Sequence, residues 1–353
     1  MDIAQLLTEL VAKGVADVFI ITGRPLSYKK GTTIEPFNDK VLSPQDTEDL
    51  ITQIYTLADT RSMGEVRDNG DDDFSFAIKG VSRFRVNAYK QRGSLAAVIR
   101  VVAFSLPDPA SLHIPEAVMQ LADLRRGLAL ITGPAGSGKT TTLACLIARI
   151  NNTRNAHVIT LENPIEFLHR HGKSLISQRE VSIDTQSYAK ALRAALRESP
   201  DVILIGELRD PETISIALTA AETGHLVFST LHTVGAVNTV DRLVDSFRAE
   251  QQAQVRMQLS MVLQSVVSQQ LLPALDGTMV PAFEIMHSTP AIRNLIREGR
   301  THQMSAVINT SAAEDMVSMD TSLLALYKAG QISQQEMVIH ALAPETILKQ
   351  AEL

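Results

Sequence analysis

The sequence predicts an α/β protein in two parts: a small α+β domain built on an antiparallel sheet, followed by a larger domain with a mostly parallel sheet. Three observations lead to this expectation. The chain has 353 residues, which favours two domains over one. Residues 105–115 contain three prolines and are the best candidate for a linker. The strand rhythm differs on its two sides, so we expect domains at residues 1–104 and 116–353.

The first part combines two amphipathic helices with strands that alternate apolar and polar residues. Residues 3–14 carry apolar side chains at helical spacing and end at a glycine. Ser43 followed by Pro44 is typical of a helix start, and that helix should run to about Leu57. Alternation predicts three strands, at residues 74–78, 84–88 and 94–102.

The second part alternates strands and helices, as expected for a parallel sheet with crossover helices. It opens with an apolar strand at 127–132 and a helix at 141–150. Further strands are predicted at 157–161, 202–205 and 226–231, and further helices at 186–198 and 211–223. From Arg248 onward we expect mainly helix, with one short β-like break near residues 279–285.

A glycine-rich loop joins the first strand and helix of this second part. Gly133–Thr140 matches the pattern G-x-x-x-x-G-K-[ST] without a mismatch. In such a loop, backbone N–H groups and the helix N-terminus attract phosphate, a lysine reaches the β- and γ-phosphates, and a threonine takes a Mg²⁺ position. The sequence therefore predicts ATP and Mg²⁺ as ligands, with Lys139 and Thr140 in those two roles. The nucleotide-binding candidates are Gly133, Pro134, Ala135, Gly136, Ser137, Gly138, Lys139, Thr140 and Thr141.

Acidic residues follow two other strands of the same part, where open α/β sheets bind their ligands. Glu162 and Glu166 follow the strand at 157–161, and carboxylates here can order water or a hydrated metal. The alternative is a solvated loop. Glu207 follows the strand at 202–205 and suits contact with Mg²⁺ or general base chemistry. Gly206 stands where many such enzymes carry an aspartate.

Two histidines bracket the strand at 226–231. His225 precedes it and His232 follows it, and we expect both to report on a γ-phosphate. The alternative for each is a structural histidine. The one cysteine, Cys145, is expected to be a small core residue. A single cysteine excludes a disulfide within the chain and a cysteine-based zinc site.

Composition narrows the classes of partner. The net charge is −6 and no Lys/Arg block occurs, so nothing favours a nucleic-acid partner. No apolar run approaches the length of a spanning helix, and the first residues lack the features of a secretory leader. We therefore expect a soluble cytoplasmic protein, not inserted in the membrane, which reaches a membrane through a partner.

Four stretches together resemble one family. Gly133–Thr140, Thr160–Phe167, Gly206–Asp210 and Gly224–Thr233 occur in the order and spacing of the secretion (traffic) ATPases. They are similar to that family's Walker A motif, Asp box, Walker B motif and His box. The resemblance extends over roughly residues 65–310 and is greatest to the type IV pilus retraction ATPases. Supporting stretches are 73–76, 83–87, 220–226 and 291–298.

This resemblance implies a hexameric cytoplasmic motor that hydrolyses ATP to drive pilus retraction and twitching motility. It implies a RecA-like P-loop ATPase domain preceded by a small PAS-like α+β domain. Glu166 and Glu207 correspond to acids that handle water and Mg²⁺, and Arg85 and Arg100 to arginines that reach nucleotide phosphates. The implied partners are further copies of the chain, an inner-membrane pilus platform protein and a paralogous pilus ATPase, with recruitment to the inner face of the membrane.

The residues leave several alternatives open. Arg100 lies in an apolar run, where it could instead form a structural pair with a carboxylate. Asn163 replaces the usual aspartate of the Asp box, which leaves open an accessory retraction paralogue. Other functional alternatives are a pilus-assembly or type II secretion ATPase, a scaffold that binds ATP without turnover, and, least favoured, a DNA translocase. The helix Thr289–Arg297 is predicted to be a coupling element.

Overall fold

A computed structural model describes residues 2–30, 33–59, 61–102, 106 and 108–352. The chain divides into two compact units. The first comprises Met1–Ser105 together with Glu166–Leu168, and the second comprises Leu106–Ile165 together with His169–Leu353. Ser105 and Pro107 of the predicted linker lie outside the described residues.

The first unit packs two main helices and one short helix against an antiparallel sheet. Its elements are α1 Ile3–Ala12, β1 Asp17–Ile20, β2 Pro25–Lys30, β3 Thr33–Val41, α2 Pro44–Leu57, α3 Gly64–Asn69, β4 Asp71–Ile78, β5 Ser82–Gln91 and β6 Ser94–Val102. The sheet has the order β3-β2-β1-β6-β5-β4. As predicted, α2 starts at Ser43, whose side chain forms a reciprocal capping box with Asp46.

The predicted antiparallel sheet is confirmed, and it is larger than expected. The three predicted strands correspond to β4, β5 and β6, but β1, β2 and β3 extend the sheet to six strands. The strand β3 is exposed along almost its whole length and contains Pro36. A strand with no buried face shows no alternation of apolar and polar residues, which is why its pattern did not predict it.

The second unit is the α/β part of the chain. Its elements are α4 Glu116–Met119, β7 Gly127–Thr132, α5 Lys139–Thr153, β8 His157–Glu162, β9 Leu175–Glu180, α6 Tyr188–Ala195, β10 Val202–Ile205, α7 Pro211–Glu222, β11 Leu226–Leu231, α8 Ala236–Asp245, α9 Ala249–Val262, β12 Leu263–Pro273, β13 Met279–His287, α10 Pro290–Glu298, α11 Met304–Thr310, α12 Met319–Lys328, α13 Gln334–His340 and α14 Pro344–Ala351. The predicted fold class, α+β followed by α/β, is therefore confirmed.

The sheet of the second unit places four functional segments on one edge. Its strand order is β13-β12-β7-β11-β10-β8-β9, and only β13 runs antiparallel to its neighbour. The strands β7, β11, β10 and β8 are parallel and consecutive. Their carboxyl ends therefore lie side by side, about 5 Å from one strand to the next. All residues of β7, β10 and β11 are buried, with helices covering the sheet.

The expectation of a mainly helical region after Arg248 is wrong for residues 263–273. This segment is β12, an eleven-residue strand next to β7. Four of its polar residues are buried: Ser265, Ser268, Gln269 and Gln270. Because buried polar residues break the apolar pattern of a central strand, the sequence did not reveal it. No helix in the described part of the chain is long and apolar enough to cross a bilayer.

Candidate functional site: a phosphate loop at the edge of a parallel sheet

The glycines of the phosphate loop adopt conformations that other residues rarely take. Gly133, Gly136 and Gly138 have φ angles of 140°, 78° and 88°. A Cβ atom added at Gly133 would lie 2.1 Å from the backbone oxygen of Gln269, so a side chain cannot fit there. A Cβ at Gly136 would meet nothing within 4 Å. The loop is thus tight against β12 at one end and open in the middle, as a cradle for an anion requires.

Lys139 lies over this loop at the start of α5. Its ammonium donates hydrogen bonds to the carbonyl oxygens of Gly133, at 2.9 Å, and Pro134, at 2.8 Å. The side chain is buried, so the charge is held close to the loop backbone. The Ser137 hydroxyl is buried and has no hydrogen-bond partner among the described residues. Buried polar groups normally have a partner, so this hydroxyl fits a site that a ligand completes.

Gln269 is a residue of this site that the sequence analysis missed. It is 4% exposed, and its Oε1 accepts a hydrogen bond of 2.8 Å from the Thr142 hydroxyl on α5. Its amide nitrogen would lie 2.8 Å from a Cβ added at Gly138. Gln269 therefore touches the loop at both ends and the helix behind it. No sequence signal pointed to it, because the strand that carries it was not predicted.

A cavity of about 450 Å³ borders the same loop. Its lining includes Gly138, Thr141 and Thr142 at the start of α5, residues 111–114, and Asp276, Thr278, Met279 and Pro281. The lining is largely apolar, with Leu112, Ile114 and Leu271 among its residues. A mostly apolar cavity of this size beside a phosphate loop suits an aromatic base.

Two predicted acids lie at the carboxyl edge of the same sheet. Glu162 is the last residue of β8 and is 9% exposed. It accepts hydrogen bonds from the Thr160 hydroxyl at 2.6 Å and from the Gln178 amide at 3.1 Å. Glu207 follows β10, and its oxygens lie 2.7 Å from Arg209 Nε and 3.4 Å from His232 Nε2. The structure thus joins Glu207 and His232, which follow the paired strands β10 and β11.

Tyr188 explains why Gly206 stands before Glu207. A Cβ at Gly206 would lie 2.7 Å from the Tyr188 hydroxyl and 3.5 Å from Glu162 Cα. Burial raises the pKa of Tyr188, and the negative charges of Glu207 and Glu162 raise it further. The phenol therefore stays neutral and is available as a hydrogen-bond donor beside two carboxylates. A side chain at residue 206 would therefore require the Tyr188 hydroxyl to move.

His225 is placed differently from the prediction. It precedes β11, and its backbone oxygen accepts a hydrogen bond from Gly127, the first residue of β7. The phosphate loop follows the last residue of β7, so the two are separated by the strand's length, about 17 Å. Its ring Nδ1 lies 3.0 Å from the Ala220 carbonyl oxygen, a contact within its own turn. His225 therefore does not lie beside the phosphate loop of its own chain, because residues that bracket a strand lie at opposite edges of the sheet.

The remaining candidates lie in the first unit. Glu166 is exposed and groups with that unit. Arg85 and Arg100 are cross-strand neighbours that line a cavity of about 220 Å³. Arg100 Nε lies 2.9 Å from Asp17 Oδ1, so the alternative of an ion pair is realised. The expected apolar setting of Arg100 is wrong, because its side chain is 67% exposed.

The described residues fit a nucleotide better than a metal bound by protein alone. The glycine cradle, the buried Ser137 hydroxyl and the adjoining cavity suit a nucleoside phosphate. Across the described ranges, no group of three or more His, Cys, Asp or Glu residues could hold a metal ion. Magnesium does not need such a group, because it is usually held by one or two protein oxygens together with phosphates and water. Thr140, half-buried at the start of α5, is the predicted protein ligand, with Glu207.

Comparison with known proteins identifies the family of the chain. A family model described as type II/IV secretion system protein matches residues 1–343. Over 345 residues the chain is 44% identical to the type IV pilus retraction ATPase PilT of Pseudomonas aeruginosa, covering 98% of this chain and 99% of that protein. It is 36% identical to the type IV pilus ATPase PilU of the same organism, covering 97% of this chain and 89% of PilU.

A solved structure gives the same result for the fold. The crystal structure of the pilus retraction motor PilT with bound ADP superposes with a TM-score of 0.91 at 42% identity. The match covers 99% of both chains. The chain therefore belongs to the type II/IV secretion system protein family, and within that family it is similar over its whole length to the pilus retraction ATPases.

Proposed function

We propose that this chain is a cytoplasmic motor that hydrolyses ATP and drives type IV pilus retraction, and with it twitching motility. One observation carries the chemical part of the proposal. The phosphate loop, His232, Glu207 and Glu162 follow or end four consecutive parallel strands, so they share one edge of the sheet. Similarity to PilT along the whole chain supports the mechanical part.

In this proposal the second unit binds the nucleotide through its loop and its cavity. The loop N–H groups and Lys139 hold the phosphates, and the largely apolar cavity takes the base. Thr140 and Glu207 would hold magnesium, which when bound would supply positive charge against the phosphates. Lys139 exchanges its two carbonyl partners for phosphate oxygens. Gln269 keeps the loop against β12 during this exchange, because it contacts Thr142 and lies against Gly138.

The acids act on the water that attacks the γ-phosphate. Glu207 orients this water and accepts its proton, while His232 and Arg209 keep the carboxylate in position. Glu162 accepts a hydrogen bond from the Thr160 hydroxyl, and the Tyr188 phenol stays neutral beside Glu162 and Glu207. Glu166 serves as a second acid for ordering water, and Arg85 and Arg100 bind phosphate and couple the first unit to the nucleotide state. Positioning and charge stabilisation supply most of the catalysis in reactions of this type.

The proposed assembly is a hexameric ring of this chain. We propose that the ring is recruited to the inner face of the membrane by the platform protein of the pilus machine and works beside a paralogous pilus ATPase. Nucleic acid has no part in the proposal, in keeping with the net charge of −6.

Two experiments test the proposal. The purified chain should release phosphate from ATP in a Mg²⁺-dependent reaction, and its mass in solution should correspond to six chains. Deletion of the gene should leave cells with excess pili that do not retract, seen by imaging of labelled pili. Bald cells would instead indicate a pilus-assembly ATPase, and absence of phosphate release would indicate a scaffold. If cells that lack the gene still retract their pili, but more weakly, the chain is an accessory paralogue.

A further inference from the structure

The amino edge of the seven-stranded sheet carries a cleft that the proposed chemistry does not use. Its volume is about 450 Å³, and it lies beside Gly127, at the opposite end of β7 from the phosphate loop. Three arginines line it: Arg125 and Arg126, just before β7, and Arg293 on α10. We call it the arginine cleft.

The three guanidinium groups lack carboxylate partners within the described ranges. Neither Arg125 nor Arg126 makes an ion pair there, and both are exposed. Arg293 Nε donates a hydrogen bond of 3.0 Å to the Ser288 carbonyl oxygen, and its terminal nitrogens make no ion pair in the described part of the chain. Burial lowers the pKa of Arg154, and the charge of Arg125 lowers it further, while Asp201 and Asp123 raise it. Three cations in one concave site attract an anion.

Apolar side chains form part of the cleft lining, which we call its floor. Leu124, Val262 and Met261 line it, and Met261 is 47% exposed. Met257, one turn earlier on α9, is 45% exposed, so the apolar surface continues along that helix. Exposed methionines suit contact with varied apolar side chains, and arginine is enriched at protein interfaces. Inorganic phosphate has no group that would use such a floor.

One acidic residue, Glu222, also lines the arginine cleft, and it does not neutralise the three arginines. Glu222 accepts a hydrogen bond from the Gln258 amide at 3.3 Å and forms no ion pair in the described part of the chain. Three positive charges therefore face one negative charge. An anionic membrane surface is a weaker match, because the chain carries a net charge of −6 and the cleft is concave. A peptide with carboxylates and one apolar side chain matches both the arginines and the floor.

We propose that the arginine cleft binds an acidic segment of a partner protein, with carboxylates on Arg125, Arg126 and Arg293 and an apolar side chain against Met261. The inference rests on the proposed function only in that a motor needs a partner to move. Beyond the proposed function, we infer that this partner is acidic and that it binds at the arginine cleft. The cleft and the phosphate loop lie at opposite edges of one sheet, so binding and hydrolysis can be measured separately.

The test uses a short fluorescein-labelled peptide of glutamates interrupted by leucines, titrated with the full chain and followed by fluorescence anisotropy. Arg126→Glu and Arg293→Glu should each weaken binding about tenfold, because each places a negative charge against the carboxylates. Arg293→Lys should retain most of the affinity. The matched control is Arg297→Glu, one turn along α10, exposed and outside the cleft. Binding to the wild type should weaken with salt.

Several outcomes would overturn the proposal. One is equal affinity in the wild type and Arg126→Glu; another is an equal loss in Arg297→Glu, which would show diffuse attraction to the surface. The proposal would also fail if a control peptide, in which lysine replaces each glutamate, bound to the chain. It would fail too if the chain bound phosphatidylserine vesicles through these arginines but did not bind the acidic peptide. Dissociation of the oligomer in Arg126→Glu would show that the cleft is a contact between subunits. Phosphate release measured in parallel separates this result from a failure of the proposed function.

Discussion

The two edges of the seven-stranded sheet carry polar side chains in opposite states. At the carboxyl edge, Lys139, Gln269 and Glu162 are buried and hydrogen-bonded to the chain itself. At the amino edge, Arg125 and Arg126 are exposed and form no ion pair within the described ranges. A buried, oriented group can act on a small ligand because its geometry is already set. An exposed, unpaired charge is instead suited to meeting a partner in solution.

This contrast predicts that substitutions at the carboxyl edge change ATP turnover and those at the amino edge do not. The largest effect should come from Lys139→Ala, since no other cation of the loop can reach the transferring phosphate. Phosphate release should fall by about a thousandfold. Lys173→Ala, an exposed lysine in the same unit, is the control and should keep the wild-type rate. Near-normal turnover in Lys139→Ala would remove the loop from the chemistry.

Glu207→Gln should separate binding from turnover. The amide keeps the shape of the side chain but cannot accept the proton of the attacking water, so turnover should fall about a hundredfold. Nucleotide affinity should stay within a few fold, because the loop is untouched and only water activation and the ordering of Mg²⁺ fail. Glu250→Gln, an exposed acid at the start of α9, provides the control. The role assigned to Glu207 fails if turnover and affinity fall together or if neither changes.

Gln269→Ala tests the contact between β12 and the loop. It leaves the buried Thr142 hydroxyl without its acceptor, which should lower the free energy of unfolding by about 1–3 kcal/mol. We expect nucleotide affinity to weaken about tenfold, because the loop loses its support.

Gln270→Ala is the matched control for Gln269. Gln270 also lies buried on β12, but its side chain bonds to His340, at 2.7 Å to the ring nitrogen. Denaturant unfolding should show a comparable loss of stability for the two variants, while nucleotide titration should show weakening only for Gln269→Ala. Equal affinities in the two variants would reduce Gln269 to a packing role.

Arg85→Lys and Arg100→Lys should have a smaller effect, about three- to tenfold on the rate of phosphate release. Lysine keeps the charge but lacks the planar fork of guanidinium, so two-point contact with phosphate is lost. The ion pair with Asp17 is no obstacle to this role, because Arg100 makes it through Nε and its side chain is 67% exposed. If both variants run at the wild-type rate, these arginines are structural.

The smallest effect on turnover is expected at the amino edge. Arg293→Ala and Arg297→Ala should each leave phosphate release within about twofold of the wild type, since surface substitutions outside a site cost little. Pilus retraction in cells should stop in Arg293→Ala, which lines the arginine cleft, and continue in Arg297→Ala. Loss of turnover in Arg293→Ala would contradict the contrast between the two edges.

The sequence by itself determined those parts of the protein that depend on neighbouring residues. The phosphate loop, with its flanking strand and helix, lies where its pattern predicts. The helix α10 has the predicted cap at Thr289, Pro290 in its first turn and Gly299 at its end, with Ile292 and Ile296 buried. Caps, turns and helical faces involve residues only a few positions apart, so a local pattern carries the information.

Only the tertiary structure decided which distant residues meet. Gln269 and Thr142 are 127 residues apart in the chain, and the strand that brings them together has no apolar pattern to predict it. His232 follows β11 and Glu207 follows β10, and the pairing of these two strands brings the two side chains together. The arginine cleft likewise brings together residues that are far apart in the chain: Arg125 and Arg126 precede β7, and Arg293 lies on α10. Strand order and register set these contacts, and they depend on packing across the whole sheet, which no local window of sequence contains.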